Sequence, residues 1–276
     1  MKRILVADDD RTVRDWLAGI LRTEKFDVST ASDGSATLKR LRSGKFDLVL
    51  LDVRMPGRSG LDVLAALRRK KNPPKVIVIT SDDSPATVLA AIRENAHQYI
   101  PKPIDQDALV TLVRQTLGKK APLHAIDVIS ARPDWVELAV PCSLEAAERL
   151  EGFMTHLESG LPEEIRIAVG QAFHELLMNA IEWGGKLDPR RKVRISYLRA
   201  KRMVLYRIAD PGPGFKLAEL DHAAVAYGDE PMKHGDVRAE KGLRPGGFGL
   251  VMVKASVDEL LYNEKHNEVV FVKYLD

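Results

Sequence analysis

Apolar positions in residues 1–118 follow two alternating rhythms. Short, mostly apolar runs at 3–7, 27–30, 47–51, 75–80 and 98–100 read as strands. Between them, residues 12–22, 35–41, 61–69, 85–94 and 106–117 carry apolar side chains three and four apart, which predicts amphipathic helices. The runs 48–51 and 76–79 are apolar at every position, as a strand is when both sheet faces are covered. Five strands alternating with five helices predict a parallel sheet with helices on both faces.

The pattern changes after Gly118-Lys119-Lys120-Ala121-Pro122. Residues 1–120 read as one domain, 121–133 as a linker and 134–276 as a second domain. A short extra element at 125–129 is the alternative to a plain linker. Beyond it, 135–140 reads as a strand, and Ser143 caps a helix running to 156. Pro162 opens a long helix to 183. Strands at 192–199 and 203–209, a glycine-rich charged stretch at 211–247, a helix at 248–256 and strands at 259–263 and 268–275 complete the pattern. These elements predict an α+β sandwich with helices on one face of a mixed sheet.

Composition narrows the classes. Cys142 is the single cysteine, so a disulfide framework within the chain is excluded and a cytoplasmic setting is expected. Asp8, Asp9 and Asp10 interrupt the first apolar run, which argues against a secretory leader. No stretch reaches the roughly 20 apolar residues that a membrane span needs. Residues 1–120 hold 22 Lys+Arg against 15 Asp+Glu, and the rest holds 20 against 24. The basic residues are scattered along helix faces, and no helix-turn-helix or zinc pattern follows, so direct DNA binding is not expected.

In an open parallel sheet, ligands sit beyond the carboxyl ends of the strands. Asp8 and Asp9 follow the first strand, Asp52 ends the third, Thr80 ends the fourth and Lys102 follows the fifth. Converging carboxylates repel one another unless a cation sits among them, and oxygen ligands suit Mg2+. A carboxylate is also a competent phosphoryl-accepting nucleophile. Thr80 is placed to hydrogen-bond the new group and Lys102 to pair with it. Asp10 reads as a helix cap before Thr12. The stretches Ile4-Leu5-Val6-Ala7-Asp8-Asp9-Asp10, Asp47-Leu48-Val49-Leu50-Leu51-Asp52-Val53-Arg54-Met55-Pro56-Gly57 and Tyr99-Ile100-Pro101-Lys102-Pro103 resemble the receiver domain of two-component response regulators. The resemblance covers nearly all of the first half. It implies a flavodoxin-like α/β fold and Asp52 as phosphoacceptor. It further implies Asp9 as the main metal ligand, with Asp8 helping through water, a cis Lys102–Pro103 bond, and Tyr99 as an aromatic that moves with Thr80.

The second half carries a different set. Glu175 and Asn179 are four apart on the long helix and share one face. A carboxylate there can act on an attacking hydroxyl, and an amide oxygen can ligate Mg2+. Asp210 follows a strand and can accept a hydrogen bond from an adenine amino group, while Gly212 and Gly214 allow close backbone approach. Gly246, Gly247 and Gly249 open a helix whose backbone amides suit phosphates. Each piece alone is an ordinary loop or helix-face pattern. The ordered set resembles the GHKL ATP-binding fold, and within it the anti-sigma-factor serine kinases. That likeness rests also on the text from Ala168 to Ala180 and from Asp258 to Val270. His266 stands where that family often has glycine, at a turn. Lys241 and Arg244 are both candidates to reach the γ-phosphate. A histidine-kinase reading lacks its phosphoacceptor domain, because His124, His156 and His174 all sit in ordinary contexts.

Two functions stay open. In the first, Asp52 phosphorylation by an upstream histidine kinase controls an ATP-dependent serine/threonine kinase. By resemblance, its substrate is a small anti-sigma-factor antagonist-like protein, and it also binds a sigma factor or a protein mimicking one. In the second, ATP is held structurally and phosphorylation gates partner capture without transfer. The first is favoured because Glu175 and Asn179 are both intact. Both families commonly dimerise, so a homodimer is expected.

Overall fold

The computed structural model describes residues 1–82, 84–118, 125–132, 134–215 and 249–275. The chain divides into two units, Met1–Pro122 and Leu123–Asp276. In the first, β1 (Arg3–Ala7), β2 (Asp27–Ala31), β3 (Leu48–Asp52), β4 (Lys75–Thr80) and β5 (Gln98–Pro101) form one sheet in the order β2-β1-β3-β4-β5. All pairings are parallel. The helices α1 (Arg11–Thr23), α2 (Gly34–Ser43), α3 (Gly60–Arg68) and α4 (Pro85–Arg93) connect the strands, and α5 (Gln106–Gly118) follows β5. This is the five-stranded flavodoxin-like arrangement.

Period-2 alternation sends Ile4, Val6, Leu48, Leu50, Ile77 and Ile79 to one face, where they meet Leu17 and Leu21 of α1 and Leu109 and Val113 of α5. Their neighbours Leu5, Val49 and Val78 point the other way and are equally buried. A strand buried on both faces is the reason the β3 run is apolar throughout. Each such side chain contributes about 1.5–3 kcal/mol. Side-chain caps set the helix starts. Asp10 accepts from the amides of Thr12 and Val13, Asp33 from Ala36, and Ser59 exchanges hydrogen bonds with Asp62 in a capping box.

The second unit holds β6 (Asp127–Arg132), β7 (Trp135–Pro141), α6 (Leu144–Leu157), α7 (Glu163–Asn179), β8 (Lys192–Arg199), β9 (Met203–Ala209), α8 (Gly249–Ser256), β10 (Glu259–Tyr262) and β11 (Glu268–Tyr274). β6 lies within the segment read as a linker and is one edge strand of the sheet, paired with β7. The strand order is β10-β11-β9-β8-β7-β6.

The expected mixed sheet is corrected here, because every pairing in it is antiparallel. The reason is topological. Two helices in series, α6 and α7, carry the chain out and back. β8 therefore starts beside the end of β7, with Pro141 paired to Lys192, and must run the opposite way. Helices α6, α7 and α8 pack in succession. Beneath them an aromatic core forms around Tyr206, with ring centroids 4.9 Å from Phe173, 4.9 Å from Tyr197 and 5.0 Å from Phe271. The Tyr206 hydroxyl donates to Glu158, which follows α6 and is itself buried. No helix among the described residues is long and apolar enough to cross a membrane.

Candidate functional site

In the receiver unit, parallel register aligns the carboxyl ends of the strands. Ala7 pairs with Leu51, and Asp52 with Ile79. Asp8, one residue past β1, and Asp52, the last residue of β3, therefore arrive side by side. Both are buried, whereas Asp9 is exposed. Oxygens of Asp8, Asp9 and Asp52 lie within 4.8 Å of one another. Lys102 Nζ donates to Asp8 Oδ2 at 2.8 Å and to Asp52 Oδ2 at 3.2 Å.

Burial pushes the Asp52 carboxyl above its ordinary range. The charge of Lys102 opposes this shift and that of Asp8 adds to it. Burial alone would lower Lys102, but hydrogen bonds and charge from Asp8 and Asp52 outweigh it and hold the ammonium above its ordinary value. The Lys102–Pro103 bond is cis. A hard oxygen set with an excess of carboxylate at one sheet edge fits Mg2+.

Thr80 is fully buried and its Oγ1 accepts from the Asp82 amide at 3.1 Å. The Tyr99 hydroxyl donates to the Asp82 carbonyl. The Asp82 carboxylate in turn accepts from the Ser84 amide and the Thr87 hydroxyl, each at 3.1 Å. One residue thus ties Thr80 and Tyr99 to the first turn of α4, a connection with no signature in the sequence.

In the second unit, Glu175 and Asn179 lie on the last turns of α7, both half-buried. Glu175 sits against the start of α8: a Cβ placed on Gly249 would lie 2.1 Å from Glu175 Oε2. Gly249 therefore admits the carboxylate at a helix N-terminus. Past Asn179 the helix widens into a π-helical turn, Ala180–Gly184. That turn presses on Asp210, since a Cβ on Gly184 would lie 2.3 Å from Asp210 Oδ1. The pair Gly184-Gly185 was its only trace in the sequence.

Asp210 Oδ1 accepts from the Gly212 amide at 2.6 Å. Burial raises the Asp210 carboxyl, against the pull of the Gly212 hydrogen bond and the Arg191 charge. Its other oxygen has no hydrogen bond among the described residues. A desolvated carboxylate with one oxygen to spare fits a base donor. Gly246, Gly247, Lys241 and Arg244 lie outside the described residues. His174 pairs at 2.8 Å with Glu151 on the exposed side of α6 and α7, a structural contact.

The response regulator receiver domain family matches residues 4–114, and the histidine kinase-like ATPase domain family matches residues 140–273. The chain is similar to the DNA-binding response regulator MtrA of Mycolicibacterium smegmatis, 32% identical over 203 residues, covering 72% of this chain and 87% of that protein. It is similar to the CAI-1 autoinducer sensor kinase/phosphatase CqsS of Vibrio cholerae, 36% identical over 115 residues, covering 41% of this chain and 17% of that protein. Among solved structures, the response regulator TrrA of Thermotoga maritima in complex with Mg(2+)-BeF is 38% identical. That match covers 42% of this chain and 99% of TrrA, with a TM-score of 0.39. The receiver match spans the first sheet and the ATPase match spans most of the second, and this chain belongs to the two-component response regulators, with its receiver domain fused to a histidine kinase-like ATPase domain of the GHKL class.

Proposed function

We propose that this response regulator is a phosphorylation-controlled serine/threonine protein kinase of the anti-sigma-factor type. Asp52 takes a phosphoryl group from an upstream histidine kinase: its carboxylate oxygen attacks phosphorus as the donor's histidine nitrogen leaves. Lys102 then shifts from Asp8 and Asp52 to the new group, and Thr80 turns its hydroxyl toward it, releasing the Asp82 amide. Asp8, Asp9 and Asp52 would hold Mg2+, which would supply positive charge to offset the phosphoryl oxygens.

In the ATPase unit, Asp210 receives the adenine amino group, Asn179 would hold Mg2+ through its amide oxygen, and Gly212, Gly214 and Gly249 let backbone approach the nucleotide. Glu175 takes the proton of an attacking serine or threonine hydroxyl, and bound ATP supplies the transferable phosphate. The observation that carries this reading is Glu175 seated against Gly249 at the N-terminus of α8, on the helix face that also bears Asn179. A base at a phosphate-binding helix end is arranged for transfer rather than for storage of nucleotide.

The substrate in this reading is a small antagonist-like protein with a serine-bearing loop, and the same unit holds a sigma factor or its mimic. The protein works as a homodimer in the cytoplasm without direct DNA contact. Radiolabelled ATP, magnesium and such a candidate partner test this directly. Label on the partner's serine or threonine, with a rate that changes when Asp52 is phosphorylated, is the expected result. Tight, ATP-dependent capture of a partner that never becomes labelled would replace the kinase with a phosphorylation-gated binding module.

A further inference from the structure

The turn between β10 and β11 is built on two side-chain amides, and one of them reaches the Asp210 loop. Asn263 Oδ1 accepts from the backbone amides of Asn267 at 3.1 Å and Glu268 at 3.2 Å, which closes the turn. Asn263 Nδ2 donates to Asn267 Oδ1 at 2.8 Å. That bond orients the Asn267 amide with its nitrogen outward, and Nδ2 donates to the Gly212 carbonyl at 3.1 Å. The Asn267 backbone carbonyl accepts from the Asp210 amide at 2.9 Å. One residue of the hairpin thus holds both ends of the Asp210-Pro211-Gly212 turn.

The rest of the turn reinforces the grip. Gly214 has φ of 86°, and a Cβ there would lie 1.7 Å from the Lys265 carbonyl oxygen. The Phe215 amide donates to that same oxygen at 3.2 Å. His266 takes a left-handed φ of 55°, and its ring joins a three-ring cluster with Phe215 and Tyr262, with centroids at 5.2 and 5.5 Å from His266 and 6.0 Å between the other two. A non-glycine residue there is held against its backbone preference by contacts with two rings.

We infer that Asn267, oriented by Asn263, is the positioning residue that sets which way Asp210 presents its carboxylate, and so determines base selectivity. The inference rests on the reading of Asp210 as the adenine acceptor. Carboxylate direction depends on the Asp210-Pro211-Gly212 turn, because the Gly212 amide holds Oδ1 and the turn fixes where that amide points. The Gly212 carbonyl is anchored by Asn267 Nδ2 and the Asp210 amide by Asn267 O. Loss of the side-chain anchor lets Gly212 turn about its own backbone torsions, which moves the amide that holds Asp210 Oδ1, while the backbone bond from Asp210 to Asn267 persists. The hairpin then still forms, but Asp210 no longer points one way.

Adenine carries an amino donor where hypoxanthine carries a carbonyl oxygen, so a well-aimed Asp210 favours ATP over ITP. Sites built on a specific hydrogen bond reject the analogue lacking it strongly, and tenfold or more is expected here. The test measures the affinities of the full-length protein for ATP and for ITP with magnesium by calorimetry, in wild type, Asn267→Ala and Asn267→Asp. Asn267→Asp keeps the shape but sets an oxygen against the Gly212 carbonyl, and it stands in if the alanine variant folds poorly.

The expected result is that ATP affinity falls toward that of ITP, with ITP affinity unchanged and the ITP-to-ATP ratio of dissociation constants reduced at least fivefold. Equal weakening of both nucleotides, or an unchanged ratio, would reduce Asn267 to a hairpin-stabilising residue and overturn the inference while leaving Asp210 as adenine acceptor intact. A wild-type protein that binds both nucleotides equally would remove the Asp210 assignment itself, and this inference with it.

Discussion

Replacing Glu158 with Gln should make the ATPase unit more stable, by an amount that grows from about pH 4.5 and levels off above about pH 7. Glu158 is buried behind α6, hydrogen-bonded to Tyr206. The Tyr197 hydroxyl, also buried, has no hydrogen-bond partner among the described residues and adds no compensation. The charges of Arg166 and Arg199 offset only part of the desolvation. The carboxyl is accordingly raised from 4.5 to about 7. A folded pKa above the unfolded one means that folding takes up a proton between the two values. The stabilisation is complete below about pH 4.5 and is lost as pH rises through about 7. At 1.36 kcal/mol per unit, this shift amounts to about 3 kcal/mol.

Gln keeps an oxygen for the Tyr206 hydroxyl and carries no charge at any pH. Glu158→Gln should therefore match wild type near pH 4.5 and exceed it at pH 8 by about 3 kcal/mol. For a unit of this length that is roughly 6–12 °C in melting temperature. A Trp16→Phe background leaves Trp135 and Trp183, both in the second unit, as fluorescence reporters. Thermal melts from pH 4.5 to 8.5 with and without the Gln substitution isolate the Glu158 contribution, because all other titrating groups are shared. A melting difference that stays flat across this range would show that Glu158 is not the buried acid described here.

Phosphorylation and nucleotide binding supply the other tests. Asp52→Asn should abolish labelling by acetyl phosphate, which the wild type should accept only with magnesium; mass mapping to another aspartate would refute the assignment. Asp210→Asn should cost about 1.5–3 kcal/mol of ATP binding, a tenfold to hundredfold loss by calorimetry, and unchanged affinity would make Asp210 a turn residue alone. Asn179→Ala should lose magnesium-dependent nucleotide binding. Glu175→Ala should bind ATP normally yet slow transfer to the partner by about 10²–10⁴-fold; if it labels as fast as wild type, the base lies elsewhere.

Much of the fold and the candidate site was legible in the chain itself. The apolar runs at β3 and β4 can only be strands covered on both sides, and their alternation with helices dictates a parallel sheet. Strand-end positions then place Asp8, Asp52, Thr80 and Lys102 on one edge before any coordinates are known. The same holds for Glu175 and Asn179, where a helix of 3.6 residues per turn puts positions four apart on one face. These are local or periodic properties, and a linear text carries them.

The rest depended on which distant residues meet. The direction of β8 followed from two helices folding back on each other, a matter of packing rather than pattern, and the sheet is antiparallel for that reason. The π-helical turn brings Gly184 against Asp210, 26 positions away in the chain. Asn267 reaches Gly212 across 55 positions, and Tyr206 reaches Glu158 across 48. In sequence, Glu158 is an ordinary acid following an amphipathic helix. Only tertiary packing removes it from water, and desolvation, which depends on every neighbour at once, is what turns such a residue into a titrating group near neutral pH.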